Sequence, residues 1–156
     1  MMAFSLSISE FGELHLFYLL CFKIQAMIKF AYTILYVEDV VKTIHFYEQA
    51  FGFTKKFITP DNSYGEVISG ETTLSFASKT LALSNLKDGF TESDLNEKPF
   101  GIEIGFTTDD VQATINKAIE AGAKLYVEPK EKPWGQVVAY VRDLDGFLIE
   151  ICTPVG

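Results

Sequence analysis

Hydrophobic positions change period in an orderly way from Met27 onward. Residues 30–37 are crowded with aromatic and β-branched side chains and predict a strand. Val40, Val41, Ile44, Tyr47 and Phe51 then recur at helical spacing, with Asp39 placed to cap the first turn and Gly52 to stop the last. Strands are predicted at 53–59, 64–69 and 72–78, separated by Pro60-Asp61-Asn62 and by Gly70, so the first half reads βαβββ. The same order returns downstream. A strand at 101–107 precedes a helix over 110–121, ended by Gly122. Strands at 124–129, 136–142 and 147–153 follow, the last two joined by the turn Asp143-Leu144-Asp145-Gly146. Between the halves, residues 79–99 are polar and rich in Ser, Asn, Asp and Gly, and read as a linker or mobile flap.

The repetition extends to residue identity. Asp39-Val40, Thr43-Ile44 and Ala50 recur as Asp110-Val111, Thr114-Ile115 and Ala121, each pair 71 positions apart. Tyr64-Gly65-Glu66-Val67 is echoed by Trp134-Gly135-Gln136-Val137 at a spacing of 70. Two copies of one supersecondary unit follow, and a cleft built between such copies is a natural binding site.

Strand alternation then sorts side chains into a helix-facing row and an open row. Ile102, Ile104 and Phe106 form one row, which turns Glu103 the other way. Phe147, Ile149 and Ile151 leave Glu150 and Cys152 opposite, and Leu74 and Phe76 leave Ser75. The 71-residue repeat matches Tyr32 to Glu103, which puts Tyr32, Ile34 and Tyr36 on the open side of the first strand. The open face is thus expected to carry Tyr32, Tyr36, Ser75, Glu103 and Glu150, with Trp134 either a pocket wall or hairpin packing.

Composition narrows the picture. A chain of 156 residues, 48% hydrophobic and 22% charged, is long enough for one packed domain and short for two independent ones. The expectation is a single domain over 27–154, with one module at about 28–78 and the other at about 100–154. A net charge of −8, a sole arginine at Arg142 and one adjacent basic pair, Lys55-Lys56, exclude a nucleic-acid or anionic-membrane surface, which needs clustered cations. Cys21 and Cys152 offer neither a disulfide framework nor zinc spacing, so a reducing, cytoplasmic setting is expected. Residues 1–26 read as an N-terminal extension outside the core. Their apolar run at 14–22, interrupted by His15, is shorter than the ~20 residues a bilayer-crossing helix needs. No lysine or arginine precedes that run as in a signal peptide.

Several of these residues carry a resemblance. Tyr32-Thr-Ile-Leu-Tyr-Val37, Asp39-Val40, Phe46-Tyr47, Ala50-Phe-Gly52-Phe53, Ala121-Gly122-Ala123 and above all Tyr140-Val-Arg-Asp-Leu-Asp-Gly-Phe-Leu-Ile-Glu150 resemble the vicinal oxygen chelate superfamily of glyoxalases, bleomycin-resistance proteins and extradiol dioxygenases. The resemblance spans roughly residues 28–154. It implies an α+β fold in which two βαβββ modules form a cupped, partly closed mixed β-sheet barrel with helices on the outside, commonly completed by a homodimer. It also implies a divalent metal held by His or Gln and Glu ligands at the positions of Tyr32, Ser75, Glu103 and Glu150. Only Glu150 keeps the expected residue.

With two histidines in the whole chain, His15 and His45, no imidazole is expected in the cup. No metal or other cofactor is therefore expected, although a divalent ion on oxygen ligands stays open. What remains is a pair of acids, Glu103 and Glu150, the candidate catalytic groups. Close together in a poorly solvated cup they would share a proton and serve as acid and base or hydrogen-bond a ligand. The alternative is a purely structural role for Glu103. Tyr32, Tyr36, Ser75 and Trp134 are the candidate ligand-binding residues. Two function classes follow: a metal-independent small-molecule binding protein, and a divergent glyoxalase-type lyase or isomerase using Glu150 and Glu103. Ser75 and Cys152 lack a histidine base, and no Gly-rich phosphate loop is present.

Overall fold

In the first half, Asp39 adopts an extended backbone conformation and its carboxylate accepts a hydrogen bond from the Lys42 amide, which fixes where the helix starts. Gly52 ends it in the left-handed conformation, at φ 70°. A computed structural model describes residues 28–155. The proposed extension over 1–26, with His15 and Cys21, lies outside the described residues. Contacts divide the chain between Ala31 and Tyr32, and the strands and helices belong to the second unit.

Strand β1 (Thr33–Val37) leads into helix α1 (Val40–Phe51), then β2 (Thr54–Ile58), β3 (Tyr64–Ser69) and β4 (Thr72–Ser78). Helix α2 (Lys79–Asn85) follows. The second module comprises β5 (Ile104–Thr107), α3 (Val111–Glu120), β6 (Lys124–Glu131), β7 (Val137–Arg142) and β8 (Leu148–Cys152). Each module forms a four-stranded mixed sheet, in the orders β1-β4-β3-β2 and β5-β8-β7-β6, with only the first pair of each parallel. The sheets do not close on each other, and the architecture is the expected α+β cup of two βαβββ modules.

Leu35, Val37, Val67, Leu74 and Phe76 from one sheet and Ala139, Val141, Ile149 and Ile151 from the other share one core with Ile44, Phe46 and Tyr47 of α1 and Ile115 and Ala118 of α3. The modules meet chiefly through α1 and α3. They are also clasped by the Asp-x-Asp-Gly turn. Buried Asp143 accepts a hydrogen bond from the Tyr47 hydroxyl (2.9 Å), while Asp145 accepts from the Glu38 amide (2.8 Å) and the Thr43 hydroxyl (3.0 Å). The most specific piece of the sequence resemblance is thus a structural lock across the pseudo-repeat. Thr114, the repeat partner of Thr43, bonds locally to the Asp110 carbonyl instead.

Two sequence expectations need correction. Residues 79–99 are not a plain linker, because Ser78 leaves the strand with an extended backbone, accepts a hydrogen bond from the Leu81 amide and caps α2. Beyond α2 the segment is strapped down. Arg142, itself buried, donates to the carbonyls of Asp94 (2.9 Å) and Glu97 (3.1 Å), and Lys79 pairs with Glu92 (2.8 Å) and Glu38 (3.3 Å). The 70-residue echo of Tyr64-Gly65-Glu66-Val67 is also not structural. By pairing register Val67 (opposite Leu74) corresponds to Val141 (opposite Ile149), 74 positions on. The longer, twice-shifted β6 absorbs the difference and leaves Trp134-Gly135 in a turn.

Candidate functional site

On the open side of the first sheet, the register sets Ile34 of β1 beside Ser75 of β4, and Ser75 beside Glu66 of β3. Glu66 is buried, accepts a hydrogen bond from Tyr64 (2.8 Å) and pairs with Lys56 of β2 (2.7 Å). Burial would raise the Glu66 carboxyl, but the bonds from Lys56 and Tyr64 outweigh it and hold the group below the ordinary range. The Tyr64 phenol is raised, first by burial, with Glu66 adding to it. Tyr32, 49% exposed, lies near enough to Tyr64 to disfavour ionisation of the Tyr64 phenol. Ser75 is fully buried and its Oγ has no hydrogen-bond partner among the described residues.

The second sheet carries its own cluster. Gly105, Glu150 and Tyr140 are register partners across β5, β8 and β7, and the Tyr140 hydroxyl donates to Glu150 Oε2 at 2.7 Å. That hydrogen bond, ahead of burial and of the charges of Glu150 and Glu103, pushes the Tyr140 phenol up to about 12. Glu103 sits close enough to Glu150 for the two carboxyls to interact. Its own acidity is weakened first by desolvation, then by the charge of the neighbouring Glu150. Cys152 is buried, donates weakly to the Phe106 carbonyl (3.7 Å), and is held as the thiol by burial and by Glu150.

The structure therefore groups Glu103 with Glu150 on one sheet and Tyr32 with Ser75 on the other. Tyr36 lies elsewhere on the first sheet, its ring 4.8 Å from that of Phe90 in the strap. Trp134 is 65% exposed in the β6–β7 turn, where its Nε1 donates to Gln136. His45 is exposed on α1 near Glu48. Sequence reading missed Tyr140, Tyr64, Glu66 and Lys56. Alternation along β7 and β3 held the signal, since Tyr140 lies between buried Ala139 and Val141, and Glu66 precedes buried Val67.

Among the described residues no three His, Cys, Asp or Glu side chains converge to hold a metal ion. The donors sharing the second face are two carboxylates, a phenol that keeps its proton and a protonated thiol. Ser75, at another ligand position of the resemblance, belongs to the other sheet. This set does not fit a four-ligand divalent site built from imidazole and carboxylate. No described helix is long and apolar enough to cross a membrane.

Residues 30–156 match the family model described as a glyoxalase-like domain. A curated relative, the uncharacterized protein YraH of Bacillus subtilis, is 28% identical over 118 residues, covering 75% of this chain and 91% of its own. Among solved structures, a glyoxalase-related enzyme from Fulvimarina pelagi superposes with a TM-score of 0.71 at 18% identity, over 82% of this chain and 89% of the other. A glyoxalase/bleomycin resistance protein/dioxygenase family enzyme from Burkholderia phytofirmans superposes at 0.67 and 23% identity, over 79% and 96%. At these identities the structural likeness speaks for fold alone. The match along most of its length, together with the paired βαβββ modules, shows that the chain belongs to the glyoxalase-like domain family of the vicinal oxygen chelate superfamily.

Proposed function

We propose that the protein is a cytoplasmic small-molecule binding module of the bleomycin-resistance type. It works as a homodimer and holds an apolar or cationic ligand on acidic, aromatic-lined sheet faces without a metal or other cofactor. The observation that carries this reading is the pairing of Glu103 and Glu150 beside Tyr140 on one sheet face. Two carboxyls there attract a cation, and the tyrosine supplies an aromatic surface. A dimer suits the arrangement, since each chain has two clusters on separate sheets and exposes Ile102, next to Glu103, and Val127, the register partner of Tyr140.

The test is fluorescence titration with a planar cationic dye such as thioflavin T. Affinity should be higher at about pH 8 than at about pH 4, because a Glu103 carboxyl whose acidity is weakened by desolvation and by the charge of Glu150 must lose its proton before it attracts the dye. Glu150→Gln should weaken binding by about tenfold and flatten that pH dependence. Equal affinity at both pH values and in the variant would overturn the reading.

One observation favours a second reading. A carboxyl whose acidity is weakened by desolvation and by a neighbouring carboxylate is suited to proton transfer in a glyoxalase-type isomerisation of a substrate with vicinal oxygens. Hemithioacetal isomerase activity that is lost in Glu150→Gln would establish it.

A further inference from the structure

The strap that follows α2 forms one wall of a half-open recess of about 220 Å³ against the open side of β1. Its walls are Ile34 and Tyr36 from the strand, Phe90, Thr91 and Ser93 from the strap, and Phe100 and Phe147 from the second module. The strap lies outside both copies of the repeat. It owes its position to Arg142, which holds the Asp94 and Glu97 carbonyls, and to Gly146, whose missing side chain lets residues 94–95 approach.

We propose that this recess binds a small neutral aromatic group, one ring bearing a single polar substituent. Size comes first: a cavity of about 150 Å³ lined by apolar side chains is known to take benzene, so the observed volume accommodates one substituted ring. The wall chemistry agrees. Four aromatic rings surround the space, two of them, Tyr36 and Phe90, already tilted at 58° in the geometry that aromatic pairs prefer. No charged side chain lines the recess, so a carboxylate or ammonium carried into it would lose part of its hydration with no counter-charge to replace it. The hydroxyls of Tyr36, Thr91 and Ser93 give a lone hydroxyl or carbonyl on the ring a partner. Because Arg142 and Lys79 hold the strap in place, the wall exists before the ligand arrives, which reduces the ordering cost of binding. The assignment rests on the small-molecule role proposed above and names the moiety that role would take.

The experiment is a proton–nitrogen NMR titration of the full chain with p-cresol, and with benzoate and benzylammonium as charged counterparts. p-Cresol should move the amide signals of Ile34, Tyr36, residues 90–93 and Phe147 saturably, and both charged compounds should move these recess signals with at least about tenfold weaker affinity, whatever they do at the Glu103–Glu150 face. Thr91→Trp, an exposed strap position, and Ile34→Trp should each fill the space and abolish the shifts while the melting temperature stays cooperative. Having both variants protects the test against one of them failing to fold. Absence of saturable shifts, benzoate binding as well as p-cresol, or shifts surviving in a folded Thr91→Trp protein would each overturn the assignment. If the cationic dye binds and responds to Glu150→Gln while p-cresol leaves the recess signals unmoved, the recess assignment fails and the broader binding role stands.

Discussion

Replacing Tyr47 by Phe removes one hydroxyl and leaves its ring contacts with Phe46, Phe51, Phe53, Phe76 and Phe106 in place. That hydroxyl donates to Asp143 Oδ2 at 2.9 Å, and neither residue is exposed to solvent. The other carboxylate oxygen already accepts from the amides of Phe147 (2.8 Å) and Asp145 (3.1 Å), so the lost bond has no substitute nearby. A hydrogen bond to a charged acceptor contributes about 1.5–3 kcal/mol, and leaving a buried oxygen unpaired adds to the loss. The expected destabilisation near neutral pH is roughly 2–4 kcal/mol, or a fall in Tm of about 6–15 °C for a domain of this size.

The sign with pH follows from the acid. Burial above all pushes Asp143 up from 3.8 to about 6, against the lowering effect of the Phe147 amide and Tyr47. The native state therefore binds a proton more tightly than the unfolded chain, and stability falls as pH rises between those two values, by roughly 3 kcal/mol, then levels off. Without Tyr47's hydroxyl the native acid should titrate higher still. The penalty of Tyr47→Phe should thus be largest above that range and smaller near pH 4.5, where both proteins hold Asp143 mostly protonated. Urea melts of the two proteins at about pH 4.5 and about pH 7.5 decide the matter, with Asp143→Asn completing a double-mutant cycle. A loss below about 0.5 kcal/mol at the higher pH, or an equal loss at both, would show that the buried pair does not hold the modules as argued.

Other consequences can be checked independently. Gly146, at φ 90°, would place a Cβ 2.8 Å from the Asp94 backbone and 2.9 Å from Arg142, so Gly146→Ala should cost about 2 kcal/mol and speed amide exchange in the strap. Glu150→Gln should bring the Tyr140 titration, followed by ring-labelled tyrosine NMR, down from about 12 toward its ordinary value; no movement would break the assigned pairing. The Glu66 carboxyl is lowered in the folded state, so it contributes stability above its unfolded pKa that is lost as pH falls through the folded one. Glu66→Gln should remove that part of the acid limb of a pH–stability curve and cost about 1 kcal/mol at neutral pH.

The boundaries of α1 and α3, and the strands flanking them, were legible in the chain because they depend on neighbours a few residues apart. Asp39 and Asp110 cap in place, Gly52 stops its helix, and alternation alone turned Glu103 and Glu150 to the same side of one sheet. Helix α2 escaped because Ser78 reads equally as the end of a strand and as a cap, and its surroundings decide which. Residues such as Tyr140, Lys56 and Phe90 gained a role only through partners set beside them by strand register and by the strap. Arg142 and Asp143 are similar cases: a charged pair of residues at a turn reads as surface until the modules close over it. Local hydrogen bonding and side-chain period set each module; which face meets which partner is fixed by long-range packing, for which sequence spacing holds no measure.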